Sequence, residues 1–288
     1  MLKHYLSLAK PGIIFSNLIA AAAGFLLAAK GQIEWPLFVA MMVGVTLIIA
    51  SGCAFNNYID RDIDAKMQRT KTRVLVMGLL STTRALVFVV LTGIAGFTLL
   101  FYFTHLLAFI AAVVGYVVYS FIYTIVYKRK SVYATAIGSI SGASPVVIGY
   151  LAVTGQFDIG VIILFVAFCL WQIPHSYAIA IYRFYDYKRA GIPVLPQLSG
   201  VKAARIHIIA YILAFVVISL LLVQQNYVGF AYAAVMITIG GYWAYIAIVD
   251  YAVSHEQLWG RKLFIVSIIA ICCFSLLISI DFVTSDSL

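Results

Sequence analysis

Asn56, Asp60 and Asp64 stand four residues apart in the run Asn56-Asn57-Tyr58-Ile59-Asp60-Arg61-Asp62-Ile63-Asp64. If the run is helical, each step of four advances about 40° around the axis and about 6 Å along it. That makes one stripe of three oxygen-bearing side chains and turns Asp62 elsewhere. Carboxylates so spaced repel one another, a cost that a cation between them removes. Hard oxygen ligands with no His or Cys beside them favour magnesium over zinc, and magnesium shares itself readily with substrate phosphates. Asn56, Asp60 and Asp64 are therefore read as metal-binding and catalytic, with Mg2+ as the cofactor. Asn57 and Arg61 within the run, and Lys66, Arg69, Lys71 and Arg73 just after it, supply the donors and point charges that grip phosphate oxygens. The competing reading is an ordinary basic loop whose acids solvate a helix end.

Other residues extend the set. Tyr116, Tyr119, Tyr123 and Tyr127 follow one another at steps of three, four and four, so a helix would align them as an aromatic stripe. The ring faces of Tyr119 and Tyr123 could stabilise a carbocation, and an interfacial belt or simple packing is the alternative, most of all for Tyr127. Lys128 and Arg129 follow directly. In Trp171-Gln172-Ile173-Pro174-His175, Pro174 should kink a helix, while Gln172 and His175 are costly in a membrane unless they face a cavity. The segment from Arg183 to Pro193 carries one carboxylate, Asp186, among Arg183, Lys188 and Arg189. It suits a diphosphate or an acidic second substrate, with a loop salt bridge as the alternative for Asp186.

The elements that position these residues are membrane spans. Of 288 residues, 64% are apolar and 10% charged, and the mean hydropathy is +1.06. A soluble domain of this length needs far more charge to coat its surface. Runs of about 20 apolar residues lie near 11–29, 36–57, 84–103, 106–127, 133–153, 159–182, 205–223, 228–249 and 262–280. The first run is too long for a signal-peptide core and is read as an uncleaved span. With the N-terminus on the cytoplasmic side, 18 of the 19 Lys and Arg residues fall on that side and only Lys30 falls outside. The net charge of +9 thus reports topology, and no nucleic-acid partner is called for. The two long inner loops, 58–83 and 183–204, carry the candidate chemistry, as long loops in compact folds usually do. Cys53, Cys169, Cys272 and Cys273 show no zinc or disulfide spacing and read as small core residues.

Further segments join these: Lys10-Pro11-Gly12-Ile13 opening the first span, Arg69-Thr70-Lys71, Ser139 to Pro145 with Gly149-Tyr150, and Ala190-Gly191-Ile192-Pro193. On all of them, nearly end to end, the chain resembles the intramembrane aromatic prenyltransferase superfamily. The Trp171 to His175 stretch resembles its haem-modifying branch. The resemblance implies one all-α intramembrane domain over residues 1–288, with nine transmembrane helices around a central cavity open to the cytoplasmic side. It implies a bacterial cytoplasmic (inner) membrane, with the N-terminus cytoplasmic and the C-terminus periplasmic. The implied reaction moves a farnesyl group from farnesyl diphosphate to a vinyl carbon of haem B, with addition of water and release of diphosphate. Trp171, Gln172 and His175 would then stand near the haem, and the product would pass to a terminal oxidase or haem A synthase. The superfamily generally carries a second Asp-rich motif where this chain keeps only Asp186. A prenyltransferase acting on a quinone precursor and a membrane transporter are the other readings that polar residues within spans allow.

Overall fold

The computed structural model describes residues 1–249, 251 and 255–284. Its helices are α1 (Leu2–Ala9), α2 (Pro11–Ala29), α3 (Trp35–Ile59), α4 (Arg61–Asp64), α5 (Thr82–Phe103), α6 (Leu106–Val117), α7 (Ala134–Thr154), α8 (Ile159–Tyr182), α9 (Phe184–Ala190), α10 (Leu195–Leu198), α11 (Gly200–Gln224), α12 (Phe230–Ile248) and α13 (Glu256–Ile280). Helix α6 continues without a break as a π-helix, Val118–Tyr127. Among the described residues nine helices, counting α6 with its π-helical extension as one, are long and apolar enough to cross a membrane. Such segments are helical because hydrocarbon offers the backbone no hydrogen-bond partner other than itself.

Two spans start earlier than hydropathy alone predicts. Helix α11 begins at Gly200 rather than 205, and α13 at Glu256 rather than 262. Helical hydrogen bonding runs past the hydrocarbon edge wherever the flanking residues still favour it. Arg205, the first residue of the expected span, lies inside α11 and donates to the carbonyls of Ala247 and Ile248 at the C-terminus of α12. A guanidinium there satisfies carbonyls that have no intrahelical partner. The inner segment 183–204 is correspondingly ordered, with α9 and α10 inside it.

Contacts between connections reproduce the expected alternation of faces. At one face Lys10 meets Asn56, Asp60 meets Lys128, and Gln68 meets Asp186. At the other face the backbone of Val228 pairs with Phe282, Tyr227 accepts from the N–H of Gly160, and Tyr150 donates to Asp158.

Helices α2 and α7 approach closely enough for backbones to touch. A Cβ on Gly24 would lie 2.1 Å from the Val146 carbonyl oxygen, and one on Gly149 would lie 1.9 Å from that of Ala21. Between membrane helices, where burying apolar surface drives little, such close packing supplies the cohesion. Helix α8 then packs against α7, α11 and α13, and α7 is the most buried of the spans. Gly149→Ala should separate α2 from α7 and destabilise the fold by roughly 1–3 kcal/mol. Thermal unfolding in detergent measures this, and an unchanged midpoint would show that the contact does not limit stability.

Candidate active site

The site begins where α3 ends. The Asp60 backbone leaves helical values (φ −88°, ψ 3°), yet its N–H still reaches the Asn56 carbonyl at 2.9 Å, and the Asp64 N–H reaches Asp60 at 2.8 Å. The four-residue spacing thus survives a bend. Asn56, Asp60 and Asp64 are 4%, 0% and 3% exposed. They are drawn inward, which rules out acids that merely solvate a helix end. Asp62, 57% exposed at its side chain, turns outward as expected and takes a two-pronged pair from Arg129, 2.7 Å at each oxygen. That guanidinium holds the Asp62 carboxyl below its ordinary range.

Burial of carboxylates demands cations, since unpaired buried charge is prohibitively costly. Lys128 pairs with Asp60, Arg73 pairs with Asp64, and Arg129 stands 3.5 Å from the Asp60 Oδ1. Asn56 links the set. Its Nδ2 donates to Asp60 Oδ2 at 2.7 Å and to Thr124 at 3.2 Å, while its Oδ1 accepts from Lys10 Nζ at 2.8 Å. Burial brings the Lys10 ammonium down to about 8, with Arg73 and Lys128 adding repulsion.

The donors fit magnesium. Two carboxylates and an amide offer oxygen alone, and Asp60 Oδ1 is buried with no hydrogen-bond partner. Among the described residues no three His, Cys, Asp or Glu side chains gather as a complete metal cage.

The remaining predicted residues divide. Lys66, Arg69 and Lys71 are exposed on the loop beyond α4, where Arg69 lies 5.8 Å over the Tyr187 ring. Arg61 and Arg183 instead fold over the rings of their neighbours Tyr58 and Tyr182, which turns Arg61 away from the buried cluster. Asn57 spends its Nδ2 on the Leu8 carbonyl at 2.9 Å. It secures α1, because its position on α3 faces that helix and leaves Asn56 to face the cluster. Asp186 is buried and accepts from the Gln68 backbone N–H and from Arg189. Burial raises its pKa, the Arg189 and Gln68 bonds lower it, and the balance falls below the ordinary range. Asp186 therefore ties α9 to the 66–73 loop, while Lys188 beside it stays exposed.

The tyrosine stripe is split by the change of helix type. Tyr116, still in α6, hydrogen-bonds Ser51 at 3.0 Å and packs edge-on to Phe97. Beyond Val118 the wider π-turn brings residues four apart nearly into register, and Tyr119 and Tyr123 stack at 6.0 Å and 12°. The Thr124 hydroxyl closes this turn on the Tyr119 carbonyl five residues back, at 2.8 Å. π-Helical turns are rare and concentrate at functional sites.

Helix α8 runs unbroken through Pro174, and its predicted residues face two ways. Gln172 points at α7: a Cβ on Gly142 would fall 1.6 Å from Gln172 Oε1, so any larger residue there displaces that amide, and the next glycine on this face, Gly138, abuts Tyr123. Trp171 and His175 face α13. Their rings stack at 4.7 Å, Trp171 donates to the Ser267 carbonyl at 2.7 Å, and His175 Nδ1 meets Ser267 Oγ at 2.7 Å. Ser267 Oγ also donates to the Phe264 carbonyl, which leaves its lone pairs to accept from His175 Nδ1. A polar cavity of about 400 Å³ at the opposite face, lined by Lys30, Tyr150, Asp158 and Tyr227 among others, shares no residue with this site.

A buried oxygen cluster framed by cations at one membrane face is what an ionising diphosphate needs, and residues 17–278 match the UbiA prenyltransferase family. The chain belongs to the UbiA prenyltransferase family. It is 53% identical over 287 residues to a protoheme IX farnesyltransferase of Cronobacter sakazakii and 54% identical to one of Escherichia coli, covering 100% of this chain and 97% of each relative. Its UbiA-like fold also appears in a digeranylgeranylglyceryl phosphate synthase structure (TM-score 0.78, 20% identity, 96% of this chain and 98% of that one). A UbiA homologue from Archaeoglobus fulgidus bound to GPP and Mg2+ is similar as well (TM-score 0.73, 17% identity, 96% and 100%).

Sequence reasoning for this UbiA member missed Lys10 as part of the cluster, and Thr124 with it. A Lys-Pro pair opening a span was the available signal for Lys10. Nothing in the spacing marks Thr124. Asp186→Ala should release the Gln68 N–H, and amide exchange over 66–73 should accelerate by roughly one to two orders of magnitude. Unchanged protection there would sink the assignment of Asp186 as the loop tie.

Proposed function

We infer that this UbiA-family chain transfers the farnesyl group of farnesyl diphosphate to the vinyl group of haem B, with addition of water, giving haem O and diphosphate. The observation that carries this is identity above one half with protoheme IX farnesyltransferases along the entire chain. The residues present can perform the chemistry.

Asn56, Asp60 and Asp64 would hold Mg2+, which neutralises charge developing on the diphosphate as the allylic C–O bond breaks. Arg73 and Lys128 already lie against those carboxylates and grip phosphate oxygens as preorganised cations. Lys66, Arg69, Lys71 and Arg129 complete the basic surround. The stacked Tyr119 and Tyr123 run inward from Lys128, where their faces shield an allylic cation from water and stabilise it.

On α8, Gln172 faces the tyrosine side, and Trp171 with His175 offers a flat aromatic wall for the porphyrin. Arg183 and Lys188 serve the propionates. The single domain spans residues 1–288 of a bacterial cytoplasmic (inner) membrane, with Lys10, Asn56 and Asp60 at the cytoplasmic face, the N-terminus cytoplasmic and the C-terminus periplasmic. The haem product then passes to a terminal oxidase or haem A synthase.

Incubation of the purified chain with haem B, farnesyl diphosphate and Mg2+ tests the reaction. Mass spectrometry should find haem carrying one farnesyl and one water, and farnesylation of a hydroxybenzoate in its place would overturn the acceptor. Asp60→Asn and Asp64→Asn should each reduce turnover by at least about a hundredfold, comparable to losing a key electrostatic group, and should lower the unfolding midpoint as well, because Lys128 or Arg73 is left without its buried partner. Near-normal turnover in either removes the metal assignment. His175→Phe should keep the ring stack and the affinity for farnesyl diphosphate while weakening haem B binding, read from the Soret band. An unaltered Soret titration would remove His175 from the haem site.

A further inference from the structure

Lys10 differs from the other cations of the cluster in what it touches. Asp60 is paired with Lys128, Asp64 with Arg73, and Asp62 with Arg129. Among the described residues Lys10 has no carboxylate partner, and its ammonium rests on a neutral amide oxygen, Asn56 Oδ1, at 2.8 Å. Buried ammonium groups are normally paired with an anion, and a neutral donor would hold Asn56 equally well. The charge is surplus to the cluster's own needs.

The backbone is arranged around this placement. Lys10 occupies the junction of α1 and α2 in a left-handed conformation (φ 56°, ψ 71°), which a non-glycine residue adopts only at a cost. Both sides of the bend are secured by adjacent residues of α3, with Asn57 bonding the Leu8 carbonyl and Asn56 accepting from Lys10. Leu8 and Ala9 are buried, whereas Met1, Leu2 and Leu6 are exposed. This gives α1 the character of an interfacial helix lying along the membrane surface, and its end delivers Lys10 into the cluster.

We propose that Lys10 is a diphosphate-binding residue: its ammonium passes from Asn56 Oδ1 to a diphosphate oxygen when the magnesium diphosphate group binds, which frees that amide oxygen to face the metal. The inference rests on the proposed function only in that a prenyl diphosphate binds beside Asn56.

The test is binding of inorganic diphosphate with Mg2+ to the full-length chain in detergent, measured by calorimetry, with a haem B titration as control. Lys10→Gln retains a donor for Asn56 but not the charge. It should weaken magnesium diphosphate binding roughly ten- to a hundredfold, the usual effect of losing a hydrogen bond from a charged group, and leave haem B binding and the unfolding midpoint in place. Lys10→Arg should recover most of the loss. If Lys10→Gln binds as the unmodified chain does, or loses haem B and diphosphate affinity equally, Lys10 is only a structural peg and the proposal fails. If the unmodified chain does not bind magnesium diphosphate, the proposed function fails with it. Should Lys10→Gln not be recovered folded, acylation of the unmodified chain decides. Magnesium diphosphate, and not haem B, should slow modification of Lys10, and equal rates with and without it would overturn the assignment.

Discussion

The structure depends on the neutralisation of two carboxylates, Asp60 and Asp64, that are buried where α3 leaves the membrane. An ionised carboxylate out of water needs a cation in contact, and none of the adjacent residues supplies it. The cations come from other parts of the chain, Lys128 from the end of the π-helix and Arg73 from the loop beyond α4, while Lys10 joins through the neutral amide of Asn56 from the α1–α2 junction. The electrostatics therefore fasten three segments to one point. The same cations that make the cluster tolerable without a ligand carry the charge that a bound diphosphate would need.

The bundle's contribution is distance. Backbone contact of α2 with α7 through Gly24 and Gly149, and the space left by Gly142 and Gly138, bring Gln172 and Tyr123 against one helix. Within the π-helix Tyr119 and Tyr123 stack on one another. Helix α8 presents Gln172 on one side and Trp171 with His175 on the other, so one helix borders both the tyrosine side and the aromatic wall assigned to the haem.

The sequence by itself determined the membrane architecture. Long apolar runs can satisfy their backbones only as helices, and the one-sided distribution of Lys and Arg fixed which ends meet. It also determined the Asn56, Asp60 and Asp64 set, because four-residue spacing survives the bend at Asp60 through unbroken hydrogen bonds. Tertiary structure alone decided the rest. Asn57 gives its amide N–H to the Leu8 carbonyl while its Oδ1 is buried without a hydrogen-bond partner, and Asp186 accepts from the Gln68 backbone, so both side chains also tie segments together. Tyr116 left the stripe because the helix changes its turn at Val118, which depends on the surrounding packing. Lys10 lies 46 residues from Asn56 along the chain, and periodicity carries no information about contacts at that separation. The physical reason is common to all of these: spacing along a helix fixes which side chains share a face, whereas what that face meets depends on how the helices pack.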